Sequence, residues 1–359
     1  MQITVIKNQN EWNSWFLQKP EPHSFAQSWA WGDILISEGK KVERLAVIEN
    51  ELVIAQAQVV YSPIFFGWQY AFCPKGPVVD SLRSEDGKIQ IYKIIKEYLK
   101  NKNCIFFRIE PGVLPVMPRS FFFKKTIDIN PSTTLLLNLN QTAAQLRGNM
   151  HPKTRYNIAL AEKKNVKIIQ EKNLEVFWML MNKTGNRDKF SLHHKKHYEK
   201  ILAAESVFQL TAYYNSVPVA CAVFIGFGNT FTYLYGASDY EYRNLMAPYL
   251  LQWEGMELGN DFGSKWYDFF GVAPRLQSES SAVIPAASGN PDNLGQHGIP
   301  NQVGNDSYNY SFKHQYAGVT RFKLGFGGVP YEAPGTFDLV VDKKKYKIYT
   351  LLRWLRRLF

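Results

Sequence analysis

Three stretches of the chain carry residues that could do chemistry. In residues 320–328, TRFKLGFGG, Arg321 and Lys323 flank Phe322 and glycines follow. A rigid turn that presents a lysine beside an aromatic ring can hold an anion. The GxxxxGK[ST] spacing of a P-loop is absent, and so is the RxxGxG-type loop that acetyl-CoA enzymes use for pyrophosphate. In residues 147–169, RGNMHPKTRYNIALAEKKNVKII, the cations Lys153, Arg155, Lys163 and Lys164 lie on or beside one helix opened by Pro152, with Tyr156 among them. Cations interleaved with an aromatic can follow a phosphate backbone and stack a base, although a charged helix face is more often simply solvated. In residues 186–198, NRDKFSLHHKKHY, His193 and His197 stand four apart and could share a helix face. No HExxH arrangement or Cys/His cluster accompanies them, so no metal is expected. A solvated helix start is the plain expectation there, with substrate contact as the alternative. No Ser-His-Asp order, glycine elbow or CxxC pair stands out.

The residues around 230–272 must position such groups. Alternating Phe231, Tyr233 and Tyr235 read as a half-buried strand, and 236–239 as a turn. Leu245, Tyr249, Trp253 and Met256 have helical spacing up to Gly263, a candidate C-cap. Residues 266–270 form a second apolar strand interrupted by Asp268. Strand, crossover helix and strand predict a parallel pair, and ligands collect beyond the carboxyl ends of such strands. That puts 236–239 and 268–271 near one cleft. Asp268 itself reads first as a buried structural acid bonded to backbone.

The first half runs on the same plan. A strand at 3–6 precedes helices at 10–16, capped by Asn10, and at 28–36. A hairpin (42–48 and 52–61) and a strand (68–72) lead through an amphipathic helix (84–100) to a strand (104–109) that ends at Glu110. In the second half, helices at 141–147, 152–164, 174–183 and 195–204 lead to a hairpin of 207–214 and 217–227, then to the unit above. The plan repeats without any residue-level repeat. It predicts an α/β (α+β) chain of two tandem GNAT-like domains, the fold of the N-acetyltransferase superfamily. The first spans 1–145, with the tail 330–359 returning to it; the second spans 146–329. Residues 274–308, rich in Ser, Gly, Asn and Pro, read as a mobile surface insertion in the second.

Composition narrows the class. The 359 residues are 45% hydrophobic and 15% aromatic, enough for two real cores. A net charge of +11 favours an anionic partner such as nucleic acid, phosphate or a membrane surface, without choosing among them. Cys73, Cys104 and Cys221 are odd in number and sit in apolar runs, which predicts buried free thiols in a reducing compartment. The N-terminus lacks the plan of a signal peptide, and no apolar run reaches the roughly 18–20 residues of a membrane span. A cytoplasmic protein is expected. Residues 343–359, KKKYKIYTLLRWLRRLF, contain no acid and read as a basic amphipathic helix. It would either rest at an anionic membrane or dock on the first domain.

Taken together, HPKTRYNI (151–158) with Ala161 and Val166, TGNRDKF (184–190), YGAS (235–238), APYLLQWE (247–254), YDFFG (267–271) and RFKLGFGG (321–328) resemble the Fem family (FemABX). These are aminoacyl-tRNA-dependent transferases that build peptidoglycan interpeptide bridges. In the first half the resemblance is thinner: QSW (27–29) and RIEP (108–111). It implies transfer of an amino acid from tRNA to an amine on the stem peptide of a precursor, lipid II or UDP-MurNAc-pentapeptide. It also implies no cofactor beyond the aminoacyl-tRNA co-substrate, and a monomer.

Residue by residue, Lys323 matches the family's lysine that meets the precursor's phosphates and stabilises the reacting carbonyl. Phe322 matches the aromatic on the tRNA side, with Arg321 beside it. Glu110 falls where an acid lies near the precursor amine, and Tyr249 near a precursor-contacting tyrosine. His193 and His197 stand where some members have an Arg and a Tyr. The family's basic residue after QSW is replaced by the region of Asp33, Ile34 and Leu35, and its long helical arm is missing. Lys153, Arg155, Lys163 and Lys164 would hold the acceptor end of the tRNA. An aminoacyl ester is already activated, so the enzyme has mainly to position it, stabilise an oxyanion and dispose of the amine's proton. Lys323 would supply charge, and Glu110 or the ester itself would help with the proton. The rival expectation is an acyl-CoA-dependent N-acyltransferase of the same fold acting on a small amine.

Overall fold

The computed structural model describes residues 1–114, 123–276, the backbone of 284–285, and 308–355. Most of the 274–308 insertion, and residues 356–359 of the basic tail, therefore lie outside the described residues.

The strands are β1 (Gln2–Val5), β2 (Lys41–Glu49), β3 (Leu52–Pro63), β4 (Gln69–Cys73), β5 (Val78–Val79), β6 (Cys104–Ile109), β7 (Phe123–Lys125) and β8 (Thr133–Asn138). They continue as β9 (Lys167–Gln170), β10 (Val207–Tyr214), β11 (Val217–Phe227), β12 (Thr230–Ser238), β13 (Trp266–Gly271), β14 (Ile284–Pro285), β15 (Val329–Glu332) and β16 (Phe337–Val340). The helices are α1 (Gln9–Leu17), α2 (Trp29–Ser37), α3 (Glu85–Asn101), α4 (Ala143–Asn149), α5 (Pro152–Lys163), α6 (Leu174–Asp188), α7 (Lys195–Ala203), α8 (Ala247–Asp261), α9 (Ala317–Leu324) and α10 (Lys343–Leu355).

Two sheets result, ordered β1-β2-β3-β4-β6-β16-β7 (with β5 on β3) and β14-β15-β8-β13-β12-β11-β10-β9. Both contain a parallel pair made through a crossover helix, β4 and β6 through α3 and β12 and β13 through α8, and in the second sheet β14 and β15 are parallel as well. This is the GNAT-like plan, twice. Helix starts follow the polar caps: Ser28, Ser84, Thr142 and Asn173 each accept a backbone N–H. The first helix is capped by Asn8 rather than Asn10.

Sheet membership corrects the expected division. Strand β8 falls inside 1–145, yet it pairs with β13 in the second sheet. Its side chains Leu135 and Leu137, with Leu139 just past it, fill the second core, which is why it belongs there. Likewise β15 pairs with β8, so the return of the tail begins only at β16, which pairs with β6. Residues 236–238, expected as a turn, continue β12. Gly236 is required there because a Cβ would fall 1.7 Å from the Tyr233 hydroxyl oxygen.

One buried cluster joins the two halves. Trp12, Trp15 and Phe16 of α1 pack with Val223 and Phe227 of β11 and with Phe177 of α6. Phe16 and Phe227 meet edge to face at 5.3 Å. Between them His23 is buried, and desolvation pushes its imidazole down to about 4. It stays neutral and accepts from the Asn229 N–H through Nδ1 at 3.2 Å. Apolar burial thus holds the two sheets as one frame, with polar contacts such as that of His23 with Asn229 beside it. Cys73, Cys104 and Cys221 are buried free thiols.

Candidate active site

Strands β12 and β13 pair only from Thr230–Trp266 to Thr232–Asp268. Beyond that register they are no longer hydrogen-bonded, and Lys323 lies between their ends. Its Nζ donates to the Gly271 carbonyl at 2.7 Å and lies 5.7 Å from the Tyr233 ring centroid. Lys323 is buried, and desolvation pulls its ammonium down to about 7, with Asp268 opposing the fall. The sequence predicted a rigid turn within 320–328; the structure makes residues 321–323 part of the last turn of α9. A helix holds the lysine more rigidly than a turn would. The glycines then let the chain close on α5: the Gly325 carbonyl accepts from the His151 N–H at 2.9 Å, and a Cβ on Gly325 would meet Thr154 Oγ1 at 2.4 Å.

Asp268 is the acid nearest in role. Oδ1 accepts from the Phe270 N–H at 2.7 Å and from the Thr134 hydroxyl. Burial raises its carboxyl above the usual range, while those bonds and then Lys75 and Lys323 act against the rise. The structural reading of Asp268 is the one observed, and it carries an electrostatic consequence for Lys323.

Across from it, the first half contributes Lys75 and Glu110. Lys75 follows β4 and is held at φ 52°. Its Nζ donates to the Pro131 carbonyl, and burial lowers its ammonium against the pull of Glu110, Asp268 and Asp128. Glu110 follows β6. Oε1 accepts from the Asn130 N–H at 2.8 Å and the Thr336 hydroxyl at 3.2 Å. Oε2 accepts from Asn130 Nδ2 at 2.7 Å and the Lys75 N–H at 3.1 Å. Four donors occupy the four lone-pair sites of this carboxylate. The proton-accepting part expected of Glu110 does not fit that geometry; it clamps three loops around the cleft instead. Glu110→Gln is expected to cost about 1–3 kcal/mol of stability, because its amide must face donors, and to leave turnover of the folded enzyme within about tenfold. Thermal melts and initial rates on one preparation check both.

The aromatic side is built by α8 and α9. Tyr249, in the first turn of α8, meets Phe322 edge to face at 5.0 Å and stacks on Phe326 at 5.9 Å. Both Tyr249 and Phe322 are half-buried, and Arg321 is exposed beside them. Lys153, Arg155 and Lys163 are exposed on α5, and Arg155 Nη1 donates to the Met150 and Gly148 carbonyls. Lys164, just past α5, instead donates to the Asn244 carbonyl at 2.7 Å. Because α5 starts against Gly325, Lys153 and Arg155 are close in the fold to α9, whereas Lys163 sits a helix length away.

His193 and His197 are placed elsewhere. Only His197 is on α7; His193 precedes it, and their rings lie 4.4 Å apart. His197 Nδ1 pairs with Glu38, the residue that caps the end of α2, and Nε2 is 3.4 Å from the Tyr235 hydroxyl. Tyr235 packs with the cluster joining the halves, while Tyr233 packs with the second core; a register shift in β11/β12 between them turns one away from the other. The histidines therefore sit by the joint between halves and do not join Lys323. The residue missed by sequence reasoning is Lys75. Its signal was available: a lysine two residues past the carboxyl end of β4, the strand that feeds a crossover helix, the position that residues 236–239 hold in the second half.

The FemAB family profile matches residues 8–117, 123–205 and 203–285. The chain belongs to the FemAB family. Aminoacyltransferase FemA from two strains of Staphylococcus epidermidis is 18% identical to it over 426 aligned positions, covering 90% of this chain and 93% of the relative. The crystal structure of FemX superposes with a TM-score of 0.75 at 16% identity, covering 97% of this chain and 99% of that one. A Bacteroides thetaiotaomicron protein of unknown function gives a TM-score of 0.53 at 12% identity, over 94% and 99% of the two chains. This FemAB-family chain is an aminoacyltransferase.

Proposed function

We propose that this protein moves an amino acid from aminoacyl-tRNA to an amine on the stem peptide of a peptidoglycan precursor, extending an interpeptide bridge. The observation that carries the reading is the buried Lys323 between the parted ends of β12 and β13. It is flanked by half-buried Phe322 and Tyr249 that can take the terminal adenosine. The ester brings its own activation, so the site needs a positioned cation rather than a nucleophile.

In the proposed reaction the neutral amine attacks the ester carbonyl, and the ammonium of Lys323 donates to the oxyanion that forms. The C–O bond to the ribose breaks as the C–N bond is kept. The ribose oxygen takes a proton from Lys323, and the attacking nitrogen returns one to it. An amine held near pKa 7 suits both halves of that exchange. Glu110 and Lys75 hold the loops of the first half around the acceptor side. Exposed Lys153 and Arg155 meet the phosphates of the acceptor stem.

Incubating purified protein with charged tRNA and a muramyl pentapeptide, in lipid-linked and nucleotide-linked forms, tests the reading by product mass. Growth by one aminoacyl residue, dependent on intact tRNA, supports it. Growth from acyl-CoA with no tRNA present would replace it. Lys153→Gln with Arg155→Gln is expected to weaken tRNA binding and to flatten its salt dependence by about one unit of log–log slope per lost phosphate contact. Filter binding across a salt series reads this, and an unchanged slope removes both residues from the tRNA surface.

A further inference from the structure

We propose that helix α10 and the 64–68 loop beside it form one docking face for an anionic phospholipid bilayer. The helix is anchored on one side only. Tyr346 is buried against Phe106 and donates to Asp338 Oδ2 at 2.9 Å, and Asp338 in turn holds Arg108 through two bonds of 2.8 and 2.9 Å. Away from Tyr346 the helix presents Ile348, Leu351 and Leu355, spaced i, i+3 and i+7, all exposed, Leu351 by 56%. This apolar stripe, opposite the docked face, is left in water and covered by none of the described residues.

The neighbouring loop repeats that pattern by a different route. Phe66 is 72% exposed and its backbone sits at φ 60°, a region bulky residues avoid. Strain that shows a ring to solvent instead of burying it marks a working surface. Phe66 meets Phe65 and Trp68 at 5.3 Å, Phe65 stacks on Tyr349 of α10 at 6.2 Å, and Lys345 Nζ lies 5.6 Å from the Trp68 ring. Loop and helix are therefore one continuous face.

Its charge selects the partner. Lys344 and Lys347 are exposed on α10, and on its other flank Lys124, Lys125 and Arg353 line a groove of about 380 Å³ with Trp354. None of these cations is in an ion pair among the described residues. Phosphate headgroups suit the groove and the lysines, and the acyl boundary suits Phe66 and the Ile348–Leu351–Leu355 stripe. A nucleic acid would use the cations but has nothing to place on exposed aliphatic side chains. The proposal depends on neither the donor nor the acceptor assigned above.

Co-sedimentation of the full chain with sucrose-loaded vesicles tests it. Vesicles containing about one-third phosphatidylglycerol should pellet the protein and pure phosphatidylcholine should not. Phe66→Gly and Leu351→Gln should each lower the partition about tenfold. Phe66→Gly should also keep or raise Tm, since glycine adopts positive φ freely, and should leave transfer to a soluble acceptor unchanged. Wild-type partition by either variant, equal binding to both vesicle types, or a loss confined to tRNA binding would overturn the proposal.

Discussion

Lys323→Met should lower single-turnover transfer by about 10²–10³-fold, the scale of losing an oxyanion donor, while making the protein more stable. The two effects have one cause. The ammonium is buried, with the Gly271 carbonyl as its bonded partner, and desolvation holds it at about 7 against an ordinary 10.5. Between those two values the unfolded chain binds more protons than the folded one, so wild-type stability rises with pH across that window. Below about 7 both states are charged and the burial penalty is fully present. The Tm gain of the methionine variant should therefore be largest near and below pH 7 and shrink toward pH 10. A variant that loses activity and also loses Tm would show only that Lys323 supports the fold. One that keeps near-normal transfer would remove the lysine from the chemistry.

The second large effect is expected from Asp268→Asn. The amide keeps the bond from the Phe270 N–H and can still meet Thr134, so the end of β13 keeps its shape. What it removes is the charge that holds the Lys323 ammonium up. Lys323 should then lose its proton at lower pH, and the falling limb of the pH–rate profile should move down with it. A shift of one unit makes transfer on the alkaline side about tenfold slower. The KM for tRNA should barely change, since Asp268 lies below the cleft rather than on the α5 surface. A profile superimposable on wild type would separate the two residues.

Much of the frame was legible because its signals are local. Ser28, Ser84 and Pro152 mark helix starts, the alternation of Phe231, Tyr233 and Tyr235 marks β12, and the spacing of strand, helix and strand foretells the parallel pair. What stayed hidden depends on distant partners. Strand β8, which sequence reasoning does not single out, lies inside 1–145, and only pairing with β13 assigns it to the second sheet. The last turn of α9 looks like a glycine-rich turn until packing against α5 fixes it as helix. Glu110 has the residue type of a general base, but its four donors come from residues 75, 130 and 336, which no local pattern connects. His193 and His197 have helical spacing, yet His193 lies before α7 and His197 pairs with Glu38 at the joint between halves, a partner 159 residues away.

The most direct test of the account is a crystal structure with a bisubstrate analogue, a stem-peptide amine joined through a tetrahedral phosphonate to a 3′-terminal adenosine. The account predicts a phosphonate oxygen at about 3 Å from Lys323 Nζ, between the ends of β12 and β13, with the adenine against Phe322 and Tyr249. A phosphonate bound outside that cleft, with Lys323 still closed on the Gly271 carbonyl, would contradict it.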